Sequence, residues 1–237
     1  MQQQSKANPT VIKLGFWSAV LTAAFAAAFF AVGMFGSSYT ENIQAPYVLT
    51  AIRPVDYAVW APGFLLALTF IVLVACIHRL APHDKKVFSQ IGLSFAVIYA
   101  GLIVADYFLQ WTVILPSIVS NETEALSLFS MYNPHGIFIA FESLGYLIMN
   151  VAFLFLAAVF SGPSRLHRAI RWLFIISFIL AVGSFSLLTL AGYPIVVFEV
   201  VIITIIVVVL IVAGVLLSIL FKRTERFEGR LKPIESS

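Results

Sequence analysis

Two acids and a histidine stand in or beside apolar runs where hydrocarbon would be expected: Asp106 in "IVADYFLQW", and His135 and Glu142 in "YNPHGIFIAFESLGY". A carboxylate in a bilayer costs several kcal/mol unless it is paired or hydrated, so each one raises the question of what it serves. Three chemistries suit the set. The carboxylates can act as counter-charges to a cation. Either can act as general acid with His135 as base. Together the three can also ligate a metal, although depth alone is a thin basis for a ligand set.

The elements that must position these residues follow from composition. The chain has 237 residues, 61% of them hydrophobic and only 11% charged, with mean hydropathy +1.02. A single soluble core cannot hide that much apolar surface. About 20 apolar residues cross the hydrocarbon layer as a helix, and six such runs occur, at 14–36, 57–77, 88–115, 136–160, 172–191 and 195–221. They are too long and uniform for alternating barrel strands. The expected fold is an all-α, polytopic membrane bundle of six transmembrane helices in one domain, with a basic tail over 222–237.

Charge sets the expected topology. Lys6, Lys13, Arg79, Lys85, Lys86, Arg165, Arg168, Arg171, Lys222, Arg223, Arg226, Arg230 and Lys232 fall on one side of the spans, and Arg53 alone on the other. By the positive-inside rule both termini are cytoplasmic, and the protein is multi-pass in the cell membrane. Trp17 and Trp172 are then expected at the inner interface, and Trp60 and Trp111 toward the outer one. The first run is too long for a signal peptide's apolar region and reads as a retained helix. The lone Cys76 excludes an intrachain disulfide. The net charge of +3 is a topology signal rather than a nucleic-acid-binding face, so the expected partners are the lipid bilayer and a small-molecule or lipid ligand.

Depth and periodicity bring the acids together. Asn133 and Pro134 make a cap and first-turn pair, which places Glu142 about 12 Å inside the fourth helix. Asp106 precedes Pro116 by ten residues, about 15 Å. Glu199 follows Pro194 closely, and Asp56 opens the second helix, so four acids share the outer half. One face of helix three carries Tyr99, Asp106 and Gln110. One face of helix four carries His135, Glu142 and Tyr146, with Ser143 and Asn150 nearby. An outward-opening polar cavity between these helices is expected, bordered by Arg53, Asp56 and Glu199, with Tyr107 and Trp111 as aromatic contacts. Tyr99, Gln110, Tyr146 and Asn150 equally suit plain interhelical hydrogen bonding.

Elsewhere, Ala19, Ala23, Ala27 and Ala31 offer a small-residue ridge for close helix approach. Helix six is apolar on all faces and suits lipid or a second copy of the chain, so a homo-oligomer is compatible with it. The short "AGYP" turn implies a tight hairpin of helices five and six. The cofactor is undetermined. No lysine lies within a span, which argues against retinal, and His78 and His135 fall at opposite ends, which argues against bis-histidine haem. No phosphate loop, zinc-protease or nucleophile-elbow motif occurs.

The segment "YNPHGIFIAFESLGYLIMNVAFLFLA", residues 132–157, resembles a stretch found in a family of uncharacterised prokaryotic six-span integral membrane proteins. The resemblance implies a small helical membrane protein and carries no activity with it. Three functions follow from the residues: binding or transport of a small cationic or amphipathic molecule, catalysis on a lipid-like substrate by carboxylate and histidine, or a structural or regulatory subunit.

Overall fold

The computed structural model describes residues 8–36, 58, 60–122, 124, 126–190 and 198–230, without the side chains of 34–36, 198–200 and 229–230. Arg53 and Asp56, the connection over 37–56 and the "AGYP" turn lie outside them, as does the side chain of Glu199. Among the described residues there is no strand, and six helices are long and apolar enough to cross a membrane. The chain is an integral membrane protein.

Helix α1 spans Pro9–Gly36 and α2 spans Ala61–Leu80. Helix α3 runs through Lys86–Leu109, a π-helical turn at Gln110–Ile114, and Leu115–Val119. Helix α4 is Ile137–Ala157 and α5 is Arg165–Leu190. Helix α6 enters through a π-helical segment, Phe198–Ile203, and continues over Thr204–Arg230. The basic segment from 222 is therefore helical as far as Arg230 rather than a tail from its first residue.

Local chemistry accounts for several of these boundaries. Pro62 sits in the first turn of α2, where its missing N–H removes no hydrogen bond. Beyond α3, Asn121 adopts φ 59°. Its N–H donates to the Ile118 carbonyl and that of Glu122 to Ser117, the paired bonds that close a helix around a left-handed residue. The π turn precedes Pro116, whose ring would clash with the carbonyl four residues back.

Each helix packs on the next in the chain, and α6 returns to α1, closing a ring. Contacts are antiparallel throughout. Tyr107 meets Glu142, and Gly92 meets Leu156; Phe153 stacks on Phe174, with Phe160 near His167; Gly15 meets Phe221. Lys13, Arg79, Lys86, Arg165 and Lys222 accordingly share one end of the bundle, the basic end. Among the described residues, α5 touches α6 more sparsely than any other neighbouring pair packs. The turn of the expected α5–α6 hairpin lies outside the described residues; among the described ones α1 and α6 form the more extensive contact.

The ridge on α1 is used differently from expectation. A Cβ on Gly214 of α6 would lie 2.6 Å from the Ala19 carbonyl oxygen and 2.8 Å from the Ala23 Cβ, so the two backbones meet there. Ala27 and Ala31 are exposed, and the buried stripe is Ile12, Gly15, Ala19, Thr22 and Ala26. A four-residue repeat overshoots the 3.6-residue turn and drifts off the face, whereas alternating steps of three and four stay on it. Helix α6 likewise buries one face, including Ile206, Leu210, Ala213, Leu217 and Phe221, while Val201, Val208, Val212, Val215 and Ile219 are exposed on the other.

Candidate functional site

Tyr107 is the pivot of the bundle. From α3 its side chain reaches Phe29 of α1, Trp60 at the start of α2, and Phe138 and Glu142 of α4. It is 0% exposed. A Cβ on Gly63 would collide with the Tyr107 ring, so only glycine there lets α2 lie against it. Gly145 of α4 serves a similar purpose, since a Cβ would stand 2.9 Å from Ile103 Cδ1. Small residues let α3 and α4 approach closely enough for their polar groups to bond.

The Tyr107 hydroxyl donates to Glu142 Oε1 at 2.5 Å. Tyr146 lies 3.4 Å from the same oxygen and 3.1 Å from the Tyr107 hydroxyl. Both phenols thus converge on one carboxyl oxygen, and Glu142 is only 5% exposed. Tyr99 packs beside Tyr146 with ring centroids 6.3 Å apart. Asn150, one turn further along α4, donates to the Tyr146 carbonyl and accepts from Ser177 of α5. Asn150 is an interhelical hydrogen bonder.

Asp106 is a different case. It is 2% exposed, within electrostatic reach of Glu142, and its Oδ2 has no hydrogen-bond partner. Gln110 is buried at the π turn, and its side-chain amide donates to the Phe129 carbonyl at 3.0 Å, tying the loop before α4 to α3. Trp111 is half-buried, 5.4 Å from Phe64 between ring centroids.

The start of α4 differs from expectation. Gly136 is the N-cap and the helix begins at Ile137. Asn133 instead accepts the His135 N–H with Oδ1 and donates to the Ser127 carbonyl. Glu142 is therefore about 7.5 Å into the helix, shallower than the sequence implied. His135 is exposed. With Ser143, Phe185 and Thr189 it lines a groove of 630 Å³ between α4 and α5, while Glu142 faces Tyr107 on α3. The acid-base pair of His135 with a carboxylate is not assembled, and among the described residues no three His, Cys, Asp or Glu side chains gather as metal ligands. The Asp106, His135 and Glu142 ligand set does not form.

Trp60 is not the interfacial anchor expected of it. It is 4% exposed and packs on Tyr107 and Phe138, whereas Trp17 and Trp172 are well exposed. Phe29, Gly63, Trp60 and Phe138 complete the site, and sequence reasoning passed over them because apolar residues in an apolar span carry no signal. The one available cue was the helix-start pattern "WAPG", in which a glycine follows a first-turn proline.

The site belongs to a class defined by its fold: a polytopic helical membrane protein with buried carboxyl groups on two packed helices, Asp106 and Glu142, the latter held by two phenols. The chain matches no protein-family model, no curated protein and no solved structure.

Proposed function

We propose that this membrane protein binds or transports a small cationic or amphipathic molecule at the Asp106–Glu142 cluster. The observation that carries this reading is the unpartnered Asp106 Oδ2. A polar atom without a partner in a dry, low-dielectric interior costs roughly 1–3 kcal/mol or more, and a cationic ligand would relieve that cost. Glu142 supports the same reading. An ionised carboxyl only accepts hydrogen bonds, and the two phenols supply donors suited to it. The aromatic faces of Tyr107, Trp60 and Phe138 suit an amphipathic cation. On this reading the cluster lies in the outer half, the basic end and both termini are cytoplasmic, and the protein resides in the cell membrane.

The test is thermal unfolding of purified protein against a panel of organic amines. A ligand at 100 times its dissociation constant contributes about 2.7 kcal/mol, which for a chain of this size is roughly 5–10 °C. Asp106→Asn is expected to lose that stabilisation. Equal shifts in both proteins, or no shift in wild type with any amine, would sink the proposal.

A further inference from the structure

The first two turns of α5 carry Arg165, Arg168 and Arg171 and no acid. Steps of three place neighbouring arginines side by side on one helix surface, where like charges repel. A helix N-terminus is also the positive end of the macrodipole, so cations are disfavoured there. All three side chains are exposed, and among the described residues none of them makes an ion pair. The acids described at the basic end are Asp84, which pairs with Lys85 at 3.6 Å, and Glu225 and Glu228 of α6. The backbone at the start of α5 is served internally: Ser164 accepts the His167 N–H with its Oγ and the Arg168 N–H with its carbonyl. It is the guanidinium groups that lack a counter-charge.

Helix α5 turns Ile170, Phe174, Ser177 and Ala181 inward. At 100° per residue the arginines fall on the opposite side together with Trp172, which is 59% exposed. That side continues through Ile176 and Ile179, both exposed. Of the six spans, α5 is the least buried. An exposed tryptophan marks the level where hydrocarbon meets headgroups, and the headgroup layer is about 5–8 Å deep on each side. Arg168 lies one turn, or about 6 Å, beyond Trp172. Arginines at phosphate level thus adjoin a continuous apolar strip at acyl-chain level.

We infer that this face of α5 holds an anionic phospholipid, its phosphate on Arg165, Arg168 and Arg171 and an acyl chain along Trp172, Ile176 and Ile179. Guanidinium forks match phosphate oxygens with paired N–H bonds. A nucleic acid or an acidic protein would neutralise the arginines but has no use for the apolar strip; one lipid covers both. The site is separate from Asp106 and Glu142 and does not depend on what they bind.

The experiment uses full-length Trp17→Phe protein in phosphatidylcholine bilayers, so that Trp172 is the well-exposed tryptophan. Phosphatidylglycerol or phosphatidylcholine with identical brominated chains is titrated in, and quenching gives their relative affinity at Trp172. Phosphatidylglycerol is expected to be preferred about fivefold, the equivalent of one cation–headgroup contact at the membrane surface. Arg165→Gln, Arg168→Gln and Arg171→Gln combined should bring the preference below about twofold. Lys13→Gln, Lys222→Gln and Arg226→Gln combined remove the same charge from α1 and α6 at the same end and should leave it unchanged. Equal quenching by the two lipids overturns the inference. So does an equal loss in the two triple variants, which would mark a diffuse positive surface. Glycerol phosphate, added at constant ionic strength, should not compete; if it abolishes the preference, the ligand is a soluble phosphate and the lipid assignment fails. Should the α5 triple variant not insert, Arg168→Gln takes its place, and an unchanged preference there overturns the inference.

Discussion

Glu142 is held by Tyr107 rather than by the neighbouring carboxyl. Adjacent residues on a helix point about 100° apart, so Asp106 and Tyr107 cannot both aim at one atom of α4, and the longer phenol spans the gap. The two phenols are unequal partners, at 2.5 Å and 3.4 Å from the same oxygen. Interhelical hydrogen bonds in membranes average about 0.6 kcal/mol and reach about 1.7. Tyr107→Phe is expected to cost about 1.5 kcal/mol and Tyr146→Phe less than half of that, measured by denaturant unfolding in mixed micelles. In a Glu142→Gln background the difference should shrink, because the carboxyl acceptor that both phenols share is gone. Equal losses from the two phenols would show that Glu142 is not anchored chiefly from α3.

Helix pairs in this ring are joined where glycine removes a side chain. At Gly214 the atoms that a Cβ would meet are a backbone oxygen and a methyl on Cα, neither of which can swing away. Gly214→Ala is expected to push α1 from α6 and cost about 1–3 kcal/mol. Gly183 on α5 has nothing within 4 Å of a built Cβ. Gly183→Ala should be neutral or stabilising by up to about 1 kcal/mol, since alanine loses less entropy in a helix. Thermal midpoints of the two variants in one detergent test the pair. If Gly183→Ala proves the more damaging, the α1–α6 contact is not the tight one. The π turn on α3 is a second device of this kind, since it carries Gln110 to the Phe129 carbonyl just beyond Asp106.

Among the described residues, the closed ring puts the lysines and arginines at one end and Asp106 and Glu142 in the other half. In a Cys76→Ala background, His135→Cys and Arg168→Cys place single exposed thiols at opposite ends. With the basic end cytoplasmic, a membrane-impermeant maleimide added to intact cells is expected to label His135→Cys. Arg168→Cys should react only after permeabilisation. The opposite pattern would invert the proposed topology, and labelling of both from one side would contradict the six crossings. The Cys76 thiol is buried in α2, so its removal should leave background labelling unchanged.

The six crossings, and the gathering of basic residues at one end, were legible in the chain because both depend on local quantities. A run of apolar residues long enough to span hydrocarbon is a helix whatever its neighbours, and alternation of charge between runs sets which ends lie together. The buried stripe of Tyr99, Asp106 and Gln110 on α3, and of Glu142, Tyr146 and Asn150 on α4, was also readable from period alone. Pairing within those stripes was not. Which of Asp106 and Tyr107 meets Glu142 depends on the rotation and separation of α3 and α4, which Gly145 and Ile103 set by contact. His135 was assigned to the α4 face by counting back along a helix that begins only at Ile137. Trp60, Phe138 and Phe29 are indistinguishable in sequence from any lipid-facing aromatic. Burial around Tyr107 is a property of four helices meeting, and no single segment carries it.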